Sequence, residues 1–273
     1  MTVDRKVDEL RHKADKAHWE QIWSDASIPP AADPEVGGIR NLFVRRMDGL
    51  FRQIFSQPAK NKQLLELGCG SSVWLPYFAQ RFGFRVSGID YSPRGCRLAE
   101  EILEKEGVAG RIYQADFFNP PEELIERFDV VYSAGVAEHF DPTAPCIAAF
   151  ADFLKPGGLM ITIVPNLAGA VGRMLKMFNP PLYDVHVPLK ATDLRSAHEE
   201  AGLQVEQCGY FLSTGCVAST SGLKPGPTTA AKQYIIDALR RLAAVIWWVE
   251  DKTVRAPETR LLSPFIVCVA RKP

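Results

Sequence analysis

A chain of 273 residues, 47% hydrophobic and 23% charged, is long enough for one large domain with additions. Its 32 basic and 32 acidic residues cancel, so no broad basic field exists to hold a polyanion, which argues against nucleic acid as a partner. The charged N-terminus lacks a signal-peptide core, the longest apolar stretch (LAAVIWWV, 242–249) is too short to cross a bilayer, and the six cysteines form no CxxC pair; a cytoplasmic protein with reduced thiols is expected.

Residues 1–58 read as an N-terminal helical arm or cap. Within it, 5–24 is a charged helical segment with Trp19 and Trp23 one turn apart, and IPPAADPEVGG (28–38) is a break. A second helix follows, with Ile39, Phe43, Met47, Leu50 and Ile54 on one face. From residue 62 strands and helices alternate. Strands are predicted at 62–67, 84–89, 111–114, 128–133 and 158–164, and helices at 73–82, 93–106, 121–127 and 142–154. Apolar strands alternating with helices predict a parallel sheet covered on both faces. Pro156 and the glycines of LKPGG stop the last of these helices before the fifth strand.

Residues 166–190 break the alternation and read as a loop with a short helix. A helix capped by Thr192 or Asp193 then stops at Gly202. Strands at 203–211 and 264–270 flank an insertion, 212–262, with a long helix near 229–249. Ile235, Leu239, Leu242, Ile246 and Val249 form one stripe on that helix, which core packing explains first. A homodimer contact, a grip on a lipid-like acceptor, or peripheral membrane contact through Trp247 and Trp248 are the alternatives; stable membrane insertion is not expected.

In an open parallel sheet the ligand lies beyond the carboxyl ends of the strands, so acids and glycines there carry the information. Gly68 and Gly70 permit a tight turn after the first strand, and Ser71 or Ser72 can cap the next helix. Asp90 follows the second strand, where it can accept both hydroxyls of a ribose, and Asp116 follows the third beside aromatic rings. The dinucleotide fingerprint needs a further glycine where Val73 stands, and Glu66 before the turn suits a cationic ligand better than a pyrophosphate.

Together, LELGCGSS, GIDYS, QADFF, FDVVYSAGVAEHF and FLKPGGLMITIV closely resemble the class I S-adenosylmethionine-dependent methyltransferases, across about residues 60–165 and more moderately 185–211. The resemblance implies an α/β, Rossmann-like seven-stranded sheet over residues 59–273, in the order 3-2-1-4-5-7-6 with an antiparallel last strand. The insertions at 166–190 and 212–262 would cover the acceptor site. It implies S-adenosyl-L-methionine as cofactor: Glu66, Gly68 and Gly70 line its methionine part, Asp90 binds the ribose, and Tyr91 lies along the nucleoside. Asp116 and Phe117 contact the adenine, and Ser133 and Ala134 face the sulfonium. The family's third glycine is Ser72 here.

His139, after the fourth strand, is the leading catalytic base, with Glu138 placed to orient it or to help bind a metal; the alternative is a histidine packed beside the cofactor. His186 is the second catalytic candidate, either covering the acceptor pocket or merely packing. Phe178 and Tyr183 supply apolar substrate contacts, and Trp19 and Trp23 either anchor the arm or close over cofactor and acceptor. His12, His18 and His198 read as solvated. Ubiquinone-pathway O-methyltransferases carry a similar Glu-His pair with another acid three residues earlier; that position is Gly135, so no metal is expected. The expected activity is O- or N-methylation of a small, fairly apolar acceptor, with C-methylation open, in specialised or cofactor metabolism. A methyltransferase of protein or RNA, or a non-catalytic cofactor-binding scaffold, are the rival functions.

Overall fold

The structure, a computed structural model, describes residues 11–14, 19, 20, 22, 23 and 28–273. Two strands lie outside the main sheet: β1 (Arg11–His12) and β6 (Phe140–Asp141) pair antiparallel with each other. The main sheet contains β2 (Gln63–Leu67), β3 (Arg85–Asp90), β4 (Gly110–Gln114), β5 (Phe128–Ala134), β7 (Leu154–Pro165), β8 (Gln204–Phe211) and β9 (Phe265–Arg271). Its spatial order is β4-β3-β2-β5-β7-β9-β8, which is 3-2-1-4-5-7-6 over these seven strands. Only β9 runs against its neighbours. This is the order and direction the resemblance implied.

Alternation along the strands fills two cores. On β2 and β5, Leu65, Leu67 and Val131 face one side, while Leu64, Val130 and Tyr132 face the other. The first side is covered by α4 (Ala144–Ala151) and α7 (Ala191–Glu200) through Ile147, Phe150 and Leu194. The second is covered by α1 (Leu42–Ile54), α2 (Trp74–Phe82) and α3 (Pro93–Lys105) through Phe51, Phe78 and Leu103. Phe51 and Phe78 are fully buried, each worth about 1.5–3 kcal/mol by area.

Several local expectations change. Within the helix expected at 5–24, Arg11–His12 is a strand, and among the described residues of that segment helix occurs at 19, 20, 22 and 23. The backbone N–H of Lys13 donates to the His139 carbonyl at 2.9 Å, so that strand is fixed beside the fourth-strand loop. The helix expected at 121–127 shrinks to a 3-10 turn, Glu122–Leu124, because its flanks are extended at Pro121 and Ile125. LKPGG lies inside β7, with the register shift against β5 falling between Phe128 and Val130. Residues 166–190 contain two helices, α5 (Ala170–Phe178) and α6 (Pro180–Asp184).

The long helix α8 (Pro227–Glu250) turns a different face inward. Ile236, Ala243, Trp247 and Glu250 are buried, while Ile235, Leu242 and Val249 are exposed. Ion pairing decides the rotation. Arg46 of α1 is buried, donates to the Trp247 carbonyl at 3.0 Å and meets Glu250 at 3.2 Å and Asp251 at 2.9 Å. Turning the helix to bury the apolar stripe would strip that buried guanidinium of its partners and leave an uncompensated charge in the interior. No helix of the described residues is long and apolar enough to cross a membrane.

Candidate active site

Four strand ends converge at one edge of the sheet. After β2 the chain turns at Gly68, with φ of +69°, where an added Cβ would lie 2.5 Å from the Val136 side chain. Ser72 follows; its hydroxyl donates to the Glu66 carboxylate and accepts from the Trp74 N–H at 3.1 Å, starting α2. Asp90 ends β3, accepting from the Gly70 N–H at 3.0 Å and the Ser92 N–H at 2.8 Å. The acid therefore braces the glycine turn from the neighbouring strand. Burial raises its pKa, those backbone donors oppose the rise, and nearby Glu20 adds to it. Glu20, in the arm, accepts from the Ser92 hydroxyl at 2.6 Å.

A cavity of about 200 Å³ opens beside this turn, bounded by Gly68, Asp90, Tyr91, Asp116, Phe117 and Ala134. Phe117 is held by its ring neighbours Phe118 at 4.7 Å and Phe150 at 5.1 Å, and Asp116 accepts from the Phe118 N–H at 2.9 Å. Trp19 and Trp23 form its outer wall, their rings stacked at 6.3 Å. Trp23 lies on Gly70, where a Cβ would come within 2.7 Å of the indole. Asp90 and Asp116 line the space and no Lys or Arg does, among the described residues. A ligand with positive charge and a ribose fits this lining; a pyrophosphate does not.

A second cavity of about 410 Å³ adjoins the first. Trp19, Ala134, Gly135 and His139 line both. Its own walls are mainly apolar, with Val164, Leu167, Leu175, Leu182 and Phe265 around Glu138 and His186. His139 sits in the turn Ala137–His139, its Nδ1 at 2.7 Å from the Val185 carbonyl, and the Val187 N–H donates to the Glu138 carbonyl at 2.6 Å. These two bonds clamp the segment before α7 onto the turn and bring the His186 ring to 4.4 Å from that of His139. One ligand atom each from Glu138, His139 and His186 lie within 4.8 Å of one another. Glu138 is buried, and burial pushes its carboxyl up to about 8.

Residues 39–208 match a family described as Methyltransferase domain, which is more than half of the chain. The chain is a class I S-adenosylmethionine-dependent methyltransferase. Two curated relatives are ubiquinone biosynthesis O-methyltransferases. The methyltransferase is 33% identical to that of Cereibacter sphaeroides strain KD131 over 44% of this chain and 52% of the relative. It is 29% identical to that of Methylocella silvestris over 60% of this chain and 65% of the relative. The match thus spans about half to two thirds of these relatives' length. In fold it is similar to geranyl diphosphate C-methyltransferase from Streptomyces coelicolor A3(2), solved with Mg2+, geranyl diphosphate and S-adenosyl-L-homocysteine. That likeness has a TM-score of 0.58 at 14% identity and covers 94% of this chain and 97% of the other. The cofactor is S-adenosylmethionine, and the acid-lined cavity fits it.

The methyltransferase brings most expected site residues together. Gly68, Asp90, Tyr91, Asp116, Phe117 and Ala134 line the first cavity, with Trp19, Trp23 and His139. Glu66 lies behind the turn instead, buried against Ser72, and Gly70 contributes the floor on which Trp23 rests. Ser133 is fully buried one residue short of the cavity, since alternation along β5 turns Ala134 outward. Phe178 and Tyr183 do not line the second cavity: α5 and α6 present Leu175 and Leu182 to it and turn both aromatics onto the cluster around Ala218 and Ile236. His12 is not simply solvated, as its ring packs edge-on to Phe118 and Phe140 at 5.5 and 5.0 Å and lines the first cavity. His198 is fully buried, bonded to Thr162 at 3.0 Å, with its pKa lowered by burial to about 4; His18 lies outside the described residues.

Burial raises Glu66 from 4.5 to about 8 against the opposing Ser72 bond, so the folded chain keeps a proton that the unfolded chain has lost. Its contribution to stability is full below about pH 4.5 and declines as pH rises towards 8. In the cofactor-free protein, Glu66→Gln, neutral in both states, should therefore gain on the wild type between pH 5 and pH 8. Thermal melts at the two pH values check this; a constant difference means that Glu66 is ionised in the fold.

Proposed function

We propose that this protein transfers a methyl group to a hydroxyl of a small, largely apolar acceptor held in the second cavity. The observation that carries the reading is the wall shared by the two cavities, formed by Trp19, Ala134, Gly135 and His139. Bound in the first cavity, S-adenosylmethionine supplies an electrophilic methyl group on a sulfonium. Asp90 accepts from the ribose hydroxyls, Tyr91 and Phe117 flank the nucleoside, and Ala134 leaves the common wall low. Alignment across that wall is worth roughly 7–11 kcal/mol in favourable cases.

His139 takes the acceptor's proton. The Val185 carbonyl can only accept, so Nδ1 of the neutral ring carries the hydrogen and Nε2 the lone pair. The apolar lining of the second cavity favours an acceptor with little charge. The relatives named ubiquinone biosynthesis O-methyltransferase support an oxygen as the methyl acceptor. Incubation with labelled S-adenosylmethionine and a panel of phenols, catechols, amines and isoprenoid-like compounds tests the proposal. Methyl ethers from hydroxyl acceptors are expected; products only from amines or carbon nucleophiles would overturn it.

The arm completes the site by excluding water through Trp19 and Trp23. Deleting residues 1–27 should leave a folded domain that retains less than about a tenth of the turnover, an effect of the size that misalignment brings. Full turnover after deletion, with a melting curve like that of the whole chain, would reduce the arm to packing.

A further inference from the structure

The Glu138–His139–His186 cluster has the makings of a metal centre. We propose that it holds a divalent cation at the seam between the two cavities, and that the cation receives the acceptor's oxygen. The proposal rests on the reading of the second cavity as the acceptor's, because all three residues line that cavity.

The carboxylate supplies the first reason. Glu138 is 1% exposed and its Oε2 meets no hydrogen-bond donor among the described residues. Leaving a carboxylate oxygen buried without compensation is costly, and a cation compensates it directly.

The two imidazoles supply the second. His139 Nδ1 lies 2.7 Å from the Val185 carbonyl and His186 Nδ1 lies 2.6 Å from the Leu182 carbonyl. Each carbonyl fixes its ring's tautomer with the lone pair on Nε2 and also fixes the ring plane. Metal-binding histidines are oriented by this kind of outer bond.

The third reason is the origin of His186. The absence of an acid at Gly135 argued against a metal when only the local sequence was considered. The fold brings a third ligand from the segment before α7, clamped to the turn by the Val187 N–H and the Glu138 carbonyl. An added Cβ at Gly135 would lie 3.7 Å from Glu138 Oε1, so that side of the carboxylate stays open.

Two neutral imidazoles and one carboxylate suit Zn2+, Mn2+ or Fe2+ better than the oxygen-seeking Ca2+ or Mg2+. Ligand bonds of about 2.0–2.2 Å draw such atoms closer together than they stand here, a small shift that the half-buried His186 can make with its Nδ1 still on the Leu182 carbonyl. Three protein ligands leave a coordination position for an acceptor hydroxyl, which then ionises more readily and gives its proton to water. With the cation bound, the Nε2 lone pair of His139 is spent as a ligand; in the metal-free chain the same nitrogen takes the proton directly, so its loss leaves the acceptor's proton in place in either state.

The test uses tag-free full-length protein stripped with a chelator and dialysed. Mn2+ is titrated in and followed by the electron paramagnetic resonance of the unbound ion, and Zn2+ by calorimetry. One equivalent per chain is expected, weakened roughly tenfold or more in Glu138→Gln and in His186→Gln. S-adenosylhomocysteine binding and thermal melts of His186→Gln report that its fold is intact. No binding at millimolar metal, or binding that both variants leave unchanged, overturns the site. Full-rate methyl transfer by the stripped protein overturns the cation's role and leaves O-methylation standing. One bound equivalent with no methyl ether from any acceptor in the panel supports the site and overturns the function instead.

Discussion

Exchange of His139 for glutamine should lower kcat roughly 10²-fold or more while cofactor affinity persists. The ring is 5% exposed, stands edge-on to Trp19 at 4.9 Å and lines both cavities, so few side chains are as close to the reacting atoms. Glutamine has similar length and can still donate to the Val185 carbonyl, which separates loss of the basic nitrogen from loss of shape. With a phenolic acceptor the defect should shrink at high pH, where the phenol ionises unaided. Rates of wild type and variant across pH, with cofactor affinity measured alongside, check both statements. A loss of only a few fold with an unaltered pH profile would make alignment the main source of rate, and an amine or carbon acceptor would then fit better.

Asp90→Ala should weaken S-adenosylmethionine binding at least tenfold in calorimetry with the fold retained. The carboxylate has two duties. It accepts from the Gly70 and Ser92 amides, and it faces the cavity where the ribose hydroxyls belong. Truncation leaves two buried amides unsatisfied, at about 1–3 kcal/mol each, and removes the acceptor for the sugar. Hydrogen bonds from the sugar to a charged group are worth about 1.5–3 kcal/mol, enough for the 1.4 kcal/mol that corresponds to a factor of about ten; the unsatisfied amides burden the free and bound protein alike and count against stability. Unchanged affinity would remove Asp90 from the cofactor site and with it the cavity's assignment.

The centre of the main sheet was legible because its strands are buried on both faces and read as largely apolar runs; QLLEL and FDVVYSA need no partner to be recognised. The residues at the ends of β2 to β5 were legible for a related reason, since strand ends in this topology are where ligands lie. Elements whose form depends on a distant partner were not. A two-residue strand at Arg11–His12 has no pattern of its own and exists because β6 pairs with it. The inward face of α8 is held by Arg46, 201 residues before Trp247 in the chain, and no periodicity reports that. Phe178 and Tyr183 looked like pocket walls because they are aromatic residues in an insertion; the turn between α5 and α6 gave the wall to Leu175 and Leu182. His139 and His186 were both named from the sequence, but that their rings are neighbours became evident only through the clamp at Val185 and Val187. Glu20 carried no sequence signal at all, being one acid in a charged segment.

The seating of Trp23 on Gly70, and of Trp19 on the wall common to both cavities, has a kinetic corollary. If the two indoles must swing aside for the nucleoside and the acceptor to exchange, each catalytic cycle contains an unlatching that chemistry does not accelerate. The Glu20–Ser92 hydrogen bond holds that latch on the ribose side. Mixing enzyme and both substrates rapidly should then give a pre-steady-state burst of one product per active site, followed by a slower phase set by departure of the spent cofactor. Shortening the latch contact with Glu20→Ala should quicken the slow phase and leave the burst rate alone.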